Sequence, residues 1–154
     1  MEKLISRFAG QHLVRRTFVM LIAVIIMGCG VGFFMQASMG SDPFSTLNLG
    51  VSSKIGLSFG SWQVIVNTVL LVLVLVLDRS KLGLGTIGNM ILVGYSADIL
   101  NNLLSHVIVA SELGIPARVG MTLLGVLMQL IGCAFYVTCG LGMAPYDAIS
   151  YIVP

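Results

Sequence analysis

Four long stretches of this chain carry almost no charge, and no other feature narrows its fold so far. Residues 17–41 hold no Asp, Glu, Lys or Arg over 25 positions. Residues 55–77 hold none over 23, and residues 119–146 none over 28. Between Lys81 and Glu112 the single charge is Asp98. A bilayer core is about 30 Å thick and takes about 20 apolar residues as helix. The runs therefore predict four spans, at 17–38, 59–77, 84–104 and 119–140. A buried helix of a soluble protein imitates one such run, but four in series do not fit that reading.

Composition supports this. Only 9% of the residues are charged and 57% are hydrophobic. An average soluble domain is roughly 25% charged. So few charges cannot cover a soluble globule, which excludes a soluble enzyme, a nucleic-acid binder and a disordered tail. The net charge of +2 is too small to imply an acidic partner. The expected fold class is an all-α membrane bundle in a single transmembrane domain, with the lipid bilayer as its main partner.

The first apolar run is too long for a cleaved signal peptide. A signal core has roughly 7–15 apolar residues, whereas 17–35 is apolar throughout apart from Thr17. It reads as a retained helix. Before it, residues 1–16 mix Leu4, Ile5, Phe8 and Leu13 with basic and polar residues. Two readings stay open for this segment: a short helix on the membrane surface or a disordered basic tail.

Orientation follows from Lys and Arg. Lys3, Arg7, Arg15 and Arg16 precede the first span, and Arg79 and Lys81 lie between the second and third. These regions share a side. The other side holds Lys54 and Arg118. The bias predicts that the N-terminus and the 78–81 loop are cytoplasmic and that 40–58 and 105–117 face outside.

Cys29, Cys133 and Cys139 fall inside proposed spans without a C-x-x-C pattern, so they read as small packing residues. His12 and His106 form no H-E-x-x-H motif and read as interfacial polar residues. No catalytic group, metal site or cofactor is expected.

The chain also repeats. A shift of 102 residues lays Arg16 on Arg118, Val24 on Val126, Gly30 on Gly132, and Phe33-Phe34 on Phe135-Tyr136. It then lays Gly40-Ser41-Asp42-Pro43-Phe44 on Gly142-Met143-Ala144-Pro145-Tyr146. One unit (17–104) holds three spans, so a second copy starting at 119 enters the membrane from the opposite side. That is an inverted-topology repeat, a plan common among secondary transporters. Plain duplication of a structural bundle is the other reading. Nine residues follow Pro145, where two more spans follow Pro43. The pattern predicts either a fragment lacking about two spans or a four-helix protein that completes itself as a homodimer.

These residues resemble the YczE/YyaS/YitT family of bacterial integral membrane proteins. The resemblance is carried by residues 39–67 (MGSDPFSTLNLGVSSKIGLSFGSWQVIVN), 81–100 (KLGLGTIGNMILVGYSADIL) and 140–150 (GLGMAPYDAIS). It implies a membrane fold of five or six spans. Transport is only an inference from it.

Several residues are candidates for function. Gly83, Gly85 and Gly88 spell G-x-G-x-x-G, but a dinucleotide site needs a preceding strand. These glycines, like Gly28 and Gly32, fit close helix approach better. Asp98 is costly at membrane depth. Helical spacing groups it with Ile91, Gly94, Tyr95, Asn101, Asn102 and Ser105. This stripe reads as part of a substrate or ion path, or as an interhelical clamp. Asn67, Asn89 and Gln129 are uncharged polar groups at membrane depth and carry the same two readings. Gly40, Asp42 and Pro43, with Gly142, Pro145 and Asp147, end one helix and start another. They read as turn-and-cap chemistry, or as helix N-termini facing an anion. Trp62 reads as an interfacial anchor. The leading functional reading is a transporter of an unidentified small solute. The alternative is a scaffold or accessory protein that acts through contacts. An enzyme is not expected.

Overall fold

The computed structural model describes residues 2–78, 82–108 and 113–152. Arg79, Lys81 and Glu112, used in the charge reading, lie outside them, as does Pro154. All regular structure among the described residues is helical. The elements are α1 (Glu2–Ala37), α2 (Pro43–Ile55), α3 (Phe59–Leu77), α4 (Leu84–Val107), α5 (Ile115–Cys139) and α6 (Pro145–Ile152).

Among the described residues, three helices are long and apolar enough to cross a membrane: α1 over His12–Ala37, then α3 and α5. The polar residues of α4 keep it out of that class despite its 24 residues. The backbone runs unbroken from Glu2 into the first apolar run. No Gly or Pro between 11 and 17 interrupts it, so the N-terminal segment is continuous with α1 rather than a separate surface helix.

Helix α1 is central, packed against α5 on one side and α4 on the other. The α1–α5 seam is made by small residues, as expected where lipid removes the usual hydrophobic drive between helices. A Cβ at Gly30 would lie 2.9 Å from the Gly125 carbonyl oxygen. One at Gly132 would lie 2.8 Å from that of Ala23. Numbers rise on α1 as they fall on α5, so the two helices are antiparallel. Arginines tie both ends. Arg16 Nε donates to the Cys139 carbonyl (2.8 Å) and Nη2 to that of Gly140 (3.3 Å). Arg118 Nη1 donates to the Ala37 carbonyl (3.3 Å). Each guanidinium thereby satisfies the carbonyls at the C-terminus of the other helix.

Helix α4 lies along α1 by the same small-residue device, and Gln36 Nε2 closes its far end by donating to the Ile108 carbonyl (2.8 Å). Helix α3 meets α4 at Gly60 and Gly94, where a Cβ on Gly94 would lie 2.7 Å from Gly60 Cα. The buried core joins Met20, Val24, Met27 and Val31 of α1 to Val93 and Ala97 of α4 and Tyr136 of α5. The three cysteines are free thiols.

Candidate functional site

Helices α1 and α5 end at opposite ends of their shared seam. Ala37 lies beside Arg118, and Cys139 beside Arg16. At 1.5 Å rise per residue, the 21 steps from Arg16 to Ala37 separate these ends by about 31 Å. Yet the rings of Phe44 and Tyr146, seven residues past each end, stack with centroids 4.3 Å apart and planes at 20°. Seven extended residues reach at most about 25 Å. Neither segment alone can span the seam, so the chain must turn back along it at both ends.

Matching residues make these reversals. Ser38 and Gly140 both adopt positive φ (52° and 57°), as do Gly40 and Gly142 (92° and 113°). The second pair is glycine at both places because an L side chain is strained there. Segment 38–42 returns along α5: Gly40, Ser41 and Asp42 share a cavity of about 400 Å³ with Phe34, Thr122 and Gln129. Segment 140–144 returns along the start of α4. There the Gly85 amide donates to the Leu141 carbonyl (2.8 Å) and the Thr86 hydroxyl to that of Met143 (2.7 Å). The Gly83 amide donates to Thr86 Oγ1 (3.0 Å). The Gly-x-Gly-Thr motif is thus a socket for the second return segment. Any Cβ on Gly142 would fall 2.5 Å from the Gly83 nitrogen.

Two short helices begin where the returns end. Pro43 opens α2 and Pro145 opens α6, positions where a missing amide hydrogen costs nothing. Thr46 N donates to the Asp42 carbonyl and Ala148 N to that of Ala144, both at 2.9 Å. Asp42 Oδ1 accepts from the Ser45 amide (2.9 Å) and caps α2. Ala144 stands at the matching place and brings no acceptor. Two helix N-termini, each with a partial positive charge, therefore meet across the stacked rings. The carboxylates offset that repulsion. Asp42 is close enough for its charge to act on Asp147, and Asp147 acts in turn on Cys133 and Tyr136. Both acids are exposed on one flank. The centre thus offers carboxylate acceptors and helix-start donors to a polar group.

Further buried polar atoms lie on α2, α3, α4 and α5. Asn48, on α2, is fully buried, and neither of its amide atoms has a partner among the described residues. The same holds for the Gln63 and Gln129 carbonyl oxygens and the Tyr136 hydroxyl. Asn67 is buried, with Nδ2 donating to the Gln63 carbonyl (3.0 Å), and Asn89 is buried on α4.

The stripe around Asp98 lies elsewhere. Asp98 Oδ2 accepts from the Gly60 amide (2.8 Å) and so caps the start of α3. Gly94 is buried, Asn101 is half-buried, and Tyr95 and Asn102 are exposed. The structure joins Asp42, Gln129, Pro43, Pro145 and Asp147 near one centre and leaves Asp98, Tyr95, Asn101 and Asn102 along the α3–α4 side. Sequence reasoning used Arg16 and Arg118 for orientation and for the repeat without assigning them these contacts, and it gave no role to Asn48. The two arginines had a signal, since the 102-residue shift superposes them.

These features define an all-helical membrane protein with paired half-helices at its centre. The chain belongs to DUF6198, a family of unknown function whose profile matches residues 14–154. It is similar to the uncharacterized protein YyaS of Bacillus subtilis (strain 168), with 29% identity over 142 residues, 86% of this chain and 65% of the relative. An uncharacterized protein of Haemophilus influenzae is 29% identical over 131 residues, 85% of this chain and 57% of the relative. The chain thus spans less than two thirds of the length of either. No solved structure matches it.

Proposed function

We propose that this protein is a small-solute transporter of the bacterial inner membrane, built on an inverted repeat and without enzymatic activity. In this reading α4 is a fourth span. The N-terminus and residues 78–81 face the cytoplasm, and the solute passes through the centre where α2 and α6 begin.

One observation carries the reading: the 102-residue shift exchanges contacts as well as residues. Arg16 reaches Cys139, and Arg118 reaches Ala37. Gly30 meets Gly125, and Gly132 meets Ala23. Phe44 meets its own counterpart, Tyr146. Reciprocal contacts are the mark of a two-fold axis, here perpendicular to α1 and α5. Paired half-helices at such an axis are a common way to hold a polar solute at mid-depth. Irregular backbone at that depth is tolerated where it is buried in protein or lines a cavity. The buried amides of Asn48, Gln63 and Gln129 add polar groups that lipid cannot satisfy.

Reconstitution tests the activity. Proteoliposomes should accumulate at least one member of a panel of labelled amino acids, sugars, organic acids and organic cations, and Asp42→Ala should reduce that uptake at least tenfold. No uptake of any class by correctly folded protein would leave the scaffold reading. Topology is tested separately. In intact cells an impermeant thiol reagent should label Ser53→Cys and spare Ser80→Cys, and the reverse pattern overturns the orientation.

A further inference from the structure

At the end of the α1–α5 pair that carries Arg16 there is a second cleft, of about 250 Å³. His12, Arg15 and Arg16 line its polar side, and Val19 and Phe135 its apolar side. Among the described residues no acidic one lines it. Arg16 is committed to the carbonyls of Cys139 and Gly140, which cancels the negative end of α5. The Thr138 hydroxyl is spent on the Ala134 carbonyl (2.6 Å). Arg15 and His12 are exposed and have no partner among the described residues. Directly beyond them begins the charge-free run at Thr17, so the Arg15 and His12 side chains stand at headgroup level when α1 crosses a bilayer. Helical spacing sets Phe18, Val19 and Ile22 on the side of α1 below Arg15. Phe18 is 64% exposed, and Phe135 faces the same cleft from α5.

We propose that this cleft binds one anionic phospholipid, its phosphate on Arg15 and His12 and an acyl chain over Val19 and Phe135. Basic pockets between membrane helices near a headgroup layer suit this ligand. The apolar wall selects a lipid over a free phosphate. The proposal is independent of transport.

Native mass spectrometry of the purified protein tests it, with dioleoyl phosphatidylglycerol and dioleoyl phosphatidylcholine offered in equal amounts. The wild type should retain phosphatidylglycerol at least fivefold over phosphatidylcholine. Arg15→Gln should cut that preference about fivefold, the effect of one surface cation, and Arg15→Lys should restore most of it. Lys54→Gln, on an exposed residue of α2, should leave it unchanged. Equal retention of the two lipids overturns the proposal, as does a preference that survives Arg15→Gln with His12→Gln. Displacement of the lipid by millimolar sn-glycerol phosphate would reduce the cleft to a small-anion site and overturns the lipid assignment.

Discussion

Gly30 and Gly120 are both helical glycines in an apolar sequence, and their surroundings give them opposite roles. A methyl at Gly30 would press on the Gly125 carbonyl at 2.9 Å and the Gln129 nitrogen at 3.2 Å. Both are backbone atoms of α5, and neither can swing aside. Gly30→Ala should destabilise the protein in detergent by about 1–3 kcal/mol, seen as a lower midpoint of thermal unfolding. Around Gly120 a Cβ meets nothing within 4 Å, so Gly120→Ala should leave stability equal or raise it by up to about 1 kcal/mol. Equal responses at the two sites would deny the close seam. Asp98 permits a similar contrast. Asp98→Leu removes the acceptor of the Gly60 amide and should cost about 1–3 kcal/mol. Asp98→Asn keeps an acceptor and should cost less. If solute uptake falls in Asp98→Asn while stability holds, the carboxylate does more than cap α3.

Among elements, the helix ends carry the information. Arg16 and Arg118 hold the C-termini of α5 and α1, so Arg16→Gln and Arg118→Gln should each lower stability by about 1–2 kcal/mol. The cost should be similar because the bonds are reciprocal, and chemical denaturation of both variants checks it. The placement of most helices was legible from charge-free runs, and both breaks from Gly-x-x-Pro. The direction of the chain after each break was not. Nothing local in 38–42 says that it turns back, because the wall that holds it, Thr122 to Leu130, lies eighty residues away. The stripe around Asp98 shows the same limit. Periodicity put its members on one side of α4, but which neighbour they meet depends on Gly60, distant in sequence. Of the candidate centre, Asp42, Pro43, Pro145 and Asp147 stood out as helix-start chemistry. That the two starts meet was not legible, since inverted copies read alone put them on opposite sides; the stacked rings reveal it.

For the molecule as a whole, Phe44 and Tyr146 are the point at which the starts of α2 and α6 touch. A double-mutant cycle should detect this. Phe44→Ala and Tyr146→Ala should each destabilise, and the double variant should lose less than the sum by about 0.5–1.5 kcal/mol, the worth of a stacked pair. Strict additivity would mean that the rings do not meet in the folded protein. The same pair bears on transport. Any solute crossing at this centre must pass beside the rings, so the single variants should change uptake as well as stability.

The arginine tie between Arg16 and Cys139 spans 123 positions of the chain, and this sets an order of events during synthesis. At about 5–20 residues per second, α1 emerges roughly 6–25 seconds before its partner α5 is complete. Helix α4 comes first and covers one flank of α1, while the Gly30 flank waits. Through that interval segment 38–42 has no wall of α5 to lie against, and its backbone groups must find water or the insertion machinery. The central helix starts are therefore late features of biogenesis, assembled only once α5 and α6 have followed rather than laid down as each segment enters the membrane.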